Sequence, residues 1–264
     1  MNDIDDLGVH DDAPPAIPAA TVVIYRHDPA GGPAQILMVE RSASMSFAGG
    51  AAVFPGGRID PADHDLAAKL GSGLDAMDVA ARVAAVRETL EETGLAIGLS
   101  GPVSAADARA ARKQLLDVGA LEPVLAERGW ELDLSALVPF ARWLPRHKGI
   151  KVFDTRFYLA DLGTGAVEIE VDATENTHLF WASAAEALRL AGEGRISVIF
   201  PTRRNLERLA QFDDFAAART HAIETPVVTI TPWIEERDGA KWLTIPSDAG
   251  YPCNGEPVET VARG

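Results

Sequence analysis

Apolar positions along the chain fall into runs too short for anything but strands and into stripes spaced for helices. ATVVIYR (20–26) and ILMVER (36–41) are compact β-branched or apolar runs, and the segment between them, HDPAGGPAQ (27–35), is punctuated by Gly and Pro. That arrangement predicts a hairpin opening the fold. Val79, Val83, Val86 and Leu90 then recur at helical spacing and share one face, with Gly94 placed to stop the helix. Residues 103–129 are alanine-rich and helical in pattern. KVFDTRFYLADL (151–162) and VEIEV (167–171) suit strands, ASAAEALRLAGEG (182–194) and PTRRNLERLAQF (201–212) suit helices, and PVVTITPWIEE (226–236) returns to strand. Strands and helices mixed without strict alternation predict an α+β sandwich, helices packed on a sheet. No fixed-period repeat or clean linker divides it, so 1–18 is read as a flexible acidic tail and 19–264 as one domain, with a helical insertion at about 100–135 and a C-terminal extension.

The predicted helix carries an anomaly. In AVRETLEETGLAI (85–97), Glu88, Glu91 and Glu92 stand within five positions, just before a glycine. Residues at i, i+3 and i+4 are neighbours on a helix, so the three carboxylates share one arc opposite the valine stripe. A solvated helix face is the ordinary explanation of such a string. Against it, like charges at these spacings each cost about 0.2–0.5 kcal/mol, and the last turn is where the helix dipole disfavours anions. No lysine lies in the helix, leaving Arg82 and Arg87 as partial compensation. An oxygen-only carboxylate cluster is also the donor set that hard divalent cations such as Mg²⁺ or Mn²⁺ prefer. Upstream, Gly56 and Gly57 in FPGGRID give a backbone able to bend sharply and approach a ligand closely.

Bulk properties narrow the chemistry. The 264 residues are 47% hydrophobic, ample for a sizeable core, and 24 Lys and Arg face 39 Asp and Glu for a formal net charge of -15. Broad adhesion to a nucleic acid polymer or an anionic membrane is disfavoured, and a phosphorylated substrate must be met by local cations. A single cysteine, Cys253, excludes an intrachain disulfide and all-cysteine metal sites; it suits a reducing, cytoplasmic setting and is expected to be buried or inert. No apolar run reaches membrane-spanning length, and the acidic start does not read as a secretory signal.

Taken together, the two constellations resemble the Nudix hydrolase signature, G-x5-E-x7-R-E-U-x-E-E-x-G-U with U bulky and apolar. Its second half reads Arg87, Glu88, Thr89, Leu90, Glu91, Glu92, Thr93, Gly94, Leu95, with Thr89 the one strained position. From Gly57 the first half finds Asp63 in place of Glu, and 23 residues rather than seven precede Arg87. An insertion there can bulge outward without moving either half. The interrupted signature, RSASMSFAGGAAVFPGGRIDPADHD (41–65) and WLPRHKGIKVFDTRFYLA (143–160) together resemble the long-insertion branch that includes the peroxisomal coenzyme A diphosphatases, though the chain ends VARG and not in a peroxisomal address.

The resemblance implies a Nudix-type α/β/α sandwich and Mg²⁺- or Mn²⁺-dependent hydrolysis of a diphosphate linkage. Glu91 and Glu92 would be metal ligands, Glu88 a further ligand or the base that orients water, Gly56 a carbonyl ligand, and Arg87 the residue holding a glutamate in place. Glu175 is a candidate for an additional acidic ligand. Arg41, Arg146, Lys148 and Lys151 are candidate cations for substrate phosphates, within a wider basic run that includes Arg142, His147 and Arg156. His64 between two aspartates suits a solvated loop better than a metal site, and Trp143, Phe153 and Phe157 suit the core better than base stacking. Ser42, Ser44 and Ser46 have no His and acid at readable spacing. The expected partner is a small-molecule nucleoside diphosphate derivative, coenzyme A or acyl-coenzyme A first; ADP-ribose or a nucleotide sugar is the enzymatic alternative, and a non-catalytic nucleotide sensor the alternative of another class. A homodimer is compatible with all three.

Overall fold

The computed structural model describes residues 13–43, 48–71, 73–101, 103–147, 151–162 and 176–261. Glu175, Lys148, Ser44, Ser46 and the predicted strand 167–171 lie outside them. Strands β1 (Ile17–Arg26) and β2 (Gln35–Arg41) form the expected antiparallel pair, Tyr25 opposite Ile36, and β1 starts two residues inside the segment read as tail. β3 (Ala52–Val53), β4 (Gly56–Arg58), β5 (Val138–Trp143), β6 (Phe153–Asp161), β7 (Asn176–Ala182) and β8 (Thr229–Ile230) complete an eight-stranded mixed sheet in the order β3-β2-β1-β6-β5-β8, with β4 on β1 and β7 on β2.

β1 runs parallel to β6 at its centre, Val22 opposite Tyr158. Both strands are apolar at successive positions because both faces of the sheet are covered. Ala20, Val22, Ile24, Tyr158 and Ala160 lie in a core beneath α1 (Pro61–Leu70), α2 (Ala76–Thr93), α3 (Ala105–Val118) and α4 (Leu121–Arg128). Val23, Tyr25, Phe157 and Leu159 face the opposite core, closed by α5 (Ala184–Gly192), α6 (Phe200–Leu209) and α7 (Phe215–Glu224). Into that second core a small antiparallel sheet, β9 (Trp233–Arg237), β10 (Ala240–Thr244) and β11 (Gly255–Pro257), adds Leu243.

Two sequence expectations change. The insertion between the glycine loop and the glutamate helix is not a bulging loop: it is largely helix α1, started by a reciprocal capping box between Asp60 and Asp63 and a proline in its first turn, and stopped at Gly71 in the left-handed region. His64 is solvated as expected, but on that helix. Cys253 is exposed, not buried, because it lies in the irregular approach to β11. Trp143 and Phe157 are core residues, Trp143 donating to the Tyr251 hydroxyl at 3.1 Å. Among the described residues no helix is long and apolar enough to cross a membrane.

Candidate active site

Helix α2 is capped at Asp75, whose side chain accepts from the amides of Met77 and Asp78, and ends at Gly94, with φ at +73° and its amide on the Leu90 carbonyl. Between these caps the helix is enclosed nearly all round, so the glutamates are not a solvated face: Glu92 is buried, and the Glu88 and Glu91 side chains are only 16% and 19% exposed. Thr89, in the slot where the signature wants a bulky apolar group, is fully buried with its hydroxyl unpartnered.

Arg87 organises the cluster. Its Nε and Nη2 each reach an oxygen of Asp63 at 2.9 Å, Nη2 also donates to the Arg58 carbonyl at 2.9 Å, and Nη1 donates to Glu88 Oε1 at 3.1 Å and Glu91 Oε2 at 3.0 Å. Burial works against the Arg87 charge, but hydrogen bonding to Asp63 and the fields of Glu88, Asp63 and Glu91 outweigh it and hold its pKa above the ordinary value. Asp63 thus closes on the signature arginine across the 23 intervening residues, carried there in the first turn of α1. Arg82 does not compensate the glutamates as its position suggested: it pairs with Asp78 at 2.8 Å and donates to the Leu134 and Leu137 carbonyls.

The glycines give the carboxylates their seat. Gly56 has φ at +151°, and a Cβ there would lie 2.3 Å from the Ala20 carbonyl; its amide donates to Glu92 Oε2 at 2.9 Å. A Cβ on Gly57 would lie 2.3 Å from Glu88 Oε1, so only glycine lets that carboxylate settle on β4. Burial pushes the Glu88 carboxyl up to about 8; Arg87 opposes this and Glu92 and Glu91 add to it. Burial likewise raises Glu91, against Arg87. Three carboxylates, those of Asp63, Glu88 and Glu91, therefore hydrogen-bond one guanidinium, and a fourth, Glu92, is held beside them by the Gly56 amide.

Such a cluster fits a hard divalent cation in donor chemistry: the oxygens are carboxylate oxygens, buried and short of positive charge. Among the described residues no three His, Cys, Asp or Glu side chains close on a common metal-sized point; Glu88 and Glu91 are turned to Arg87 Nη1 and Glu92 to the Gly56 amide.

One contributor escaped the sequence reading. Arg112 of α3, buried, donates Nε to the Glu91 carbonyl at 2.8 Å, satisfying a last-turn acceptor of α2. No local pattern marks it, since the contact depends on how α3 docks. Three of the candidate cations fall among the described residues. Arg41 ends β2 with a buried, unpartnered Nε, while Arg146 and Lys151 are exposed on the approach to β6.

Comparison with known proteins agrees with this geometry. Over 276 aligned residues, the chain is 25% identical to the acyl-coenzyme A diphosphatase NUDT19 of Gallus gallus, across 83% of this chain and 73% of that one. A crystal structure of a NUDIX hydrolase from Alicyclobacillus acidocaldarius superposes with a TM-score of 0.66 at 27% identity, covering 78% of this chain and 96% of that one. The family profile described as NUDIX domain matches residues 16–148. On that match, half of its length, the chain belongs to the NUDIX family and is a Nudix hydrolase, acting on pyrophosphate bonds.

Proposed function

We propose that this chain hydrolyses the diphosphate linkage of coenzyme A or an acyl-coenzyme A, using Mg²⁺ or Mn²⁺. The observation that carries the hydrolytic reading is the gathering of Asp63, Glu88 and Glu91 on Arg87, with Glu92 held by the Gly56 amide and Glu88 seated against Gly57, a buried excess of carboxylate that a cation would balance. The likeness to the acyl-coenzyme A diphosphatase of Gallus gallus supports the choice of substrate. Glu91 and Glu92 would hold the metal, with the Gly56 carbonyl and Glu175 as further ligands. When bound, a divalent cation lowers the pKa of water and neutralises charge developing on phosphoryl oxygens.

Each of the chain's own groups has a definable part in this reading. Arg87, clamped by Asp63, fixes the rotamers of Glu88 and Glu91, so these carboxylates are pre-oriented. Glu88, whose carboxyl is raised to about 8 by burial, would be returned to its anionic form beside a bound cation and then be suited to accept a proton from an attacking water. Arg146 and Lys151, exposed on the approach to β6, are the cations this reading assigns to the 3′-phosphate of coenzyme A, in a chain that is otherwise strongly acidic.

The test is a substrate panel of coenzyme A, acetyl-coenzyme A, 3′-dephospho-coenzyme A and ADP-ribose, read by product mass with Mg²⁺, with Mn²⁺ and in excess chelator. Coenzyme A should yield adenosine 3′,5′-bisphosphate and phosphopantetheine, and chelation should abolish the reaction. Much faster cleavage of ADP-ribose would overturn the substrate, and full activity in chelator would overturn the metal.

A further inference from the structure

Residues paired across a sheet project their side chains from the same face. Ala20 of β1 is paired with Gly57 of β4 on one side and with Arg156 of β6 on the other. The next pair on that face, Val22 and Tyr158, belongs to the core under α2, whereas Val23 and Leu159 belong to the opposite core, which fixes the facing. Arg156 therefore rises from the face on which Gly57 meets Glu88, two strand spacings or about 10 Å away. The row continues to Arg142 of β5, paired with Arg156.

The two arginines differ in how they are satisfied. Arg142 donates Nε and Nη2 to the two oxygens of Asp154 at 2.8 and 2.7 Å. Arg156 has Asp154 Oδ2 only at 3.9 Å, and its Nη1 is buried without a hydrogen-bond partner although its side chain is just 16% exposed. Tyr158, two residues along the same face, does not serve it, since that hydroxyl donates to Asp78 Oδ1 at 2.7 Å. A buried guanidinium nitrogen with no acceptor is costly, and such groups are seldom kept unless something binds them.

We propose that Arg156 is the specificity-determining cation that receives a phosphoryl oxyanion of the substrate, across the sheet from the glutamates. The proposal rests on the reading of the site as a diphosphate hydrolase. The oxyanion could belong to the diphosphate itself or to a phosphomonoester farther along the substrate; the chemistry at Arg156 is the same.

The experiment compares wild type, Arg156→Met and Arg156→Lys in the full chain. It uses steady-state kinetics on coenzyme A and 3′-dephospho-coenzyme A, and melting with and without inorganic diphosphate. Losing one charge-assisted contact should raise KM about 10- to 100-fold in Arg156→Met, with partial recovery in Arg156→Lys. The change in kcat should stay within about threefold, as expected when binding energy common to ground and transition states is lost. Stabilisation by diphosphate should disappear in Arg156→Met while the unliganded melting temperature does not fall. An equal KM rise on both substrates assigns the oxyanion to the diphosphate, and a rise on coenzyme A alone assigns it to the 3′-phosphate. Unchanged KM and unchanged diphosphate stabilisation would overturn the proposal, as would a fall in unliganded stability with KM untouched. If wild type cleaves no member of the panel, the substrate reading fails; Arg156-dependent stabilisation by diphosphate would still uphold the subsite, and Arg156-independent stabilisation would overturn it.

Discussion

Helices α2 and α6 lie on opposite faces of the sheet, and both bury charge. On the α2 side, the carboxylates of Glu88, Glu91 and Asp63 of α1 gather on one guanidinium, and burial drives Glu88 and Glu91 toward their protonated forms. On α6 the signs are close to balance. Arg204 donates to Glu207 at 2.8 Å, to Glu256 at 3.0 Å and to the Gly255 carbonyl at 3.3 Å. Arg208 donates to the Phe140 carbonyl at 3.0 Å and to His221 Nε2 at 3.1 Å, and lies over the rings of Phe140 and Tyr251. A buried excess of one sign asks for a ligand, whereas charge spread over opposite partners, carbonyls and rings holds a fold together.

That contrast breaks most visibly in turnover. Glu91→Gln and Glu92→Gln keep shape and remove charge, so each should cut kcat by roughly 10²–10³-fold or more while circular dichroism and melting stay near wild type. Wild-type rates in either would erase the distinction between the two helices. Arg208→Met should do the reverse. It strips the Phe140 carbonyl of its donor, and about 2–4 kcal/mol of lost stability, or about 5–15 °C in Tm, is expected with kcat preserved at low temperature.

Glu88 sharpens the comparison through pH. Its folded pKa, pushed up to about 8 chiefly by burial, lies above the usual carboxylate value, so between roughly pH 4.5 and 8 the folded chain keeps a proton that the unfolded chain releases. Stability in chelator should therefore fall as pH rises through that window. Glu88→Gln should be flatter, and more stable than wild type at pH 8 by about 2 kcal/mol, less than the full shift would give because solvent still reaches the carboxylate. Equal pH–stability slopes in urea titrations would refute it. The smallest effect is expected at His64, exposed on α1: His64→Ala should change stability by less than about 0.5 kcal/mol and leave the metal dependence of turnover untouched.

The α2 side was legible because its chemistry is local in sequence. Glu88, Glu91 and Glu92 share a helix face at fixed spacing, and Gly94 ends that helix where the pattern stops. Strands β1, β2 and β6 were legible because their apolar runs reflect burial on both faces, whereas β5 and β7 were not read from the sequence. α1 was missed although Asp60, Pro61 and Gly71 are start and stop signals, because its polar residues outweigh the two apolar positions, Leu66 and Ala67, that it buries. The α6 network was illegible for a different reason. PTRRNLERL gives no local sign that its arginines are buried, and what buries them arrives 43 to 52 residues later, Tyr251 in the link between β10 and β11 and Glu256 on β11, short strands that carry little pattern.

The ion pair between Asp63 and Arg87 joins two elements whose covalent connection, Gly71 to Asp75, is exposed at each described position. Its described residues contribute no side chain to the guanidinium clamp, so a foreign sensor module could be spliced there without removing a member of the clamp. A guest that changes its end-to-end span on binding its own ligand would tug α1, slide Asp63 along Arg87, and turn the orientation of Glu88 and Glu91 into a mechanical readout.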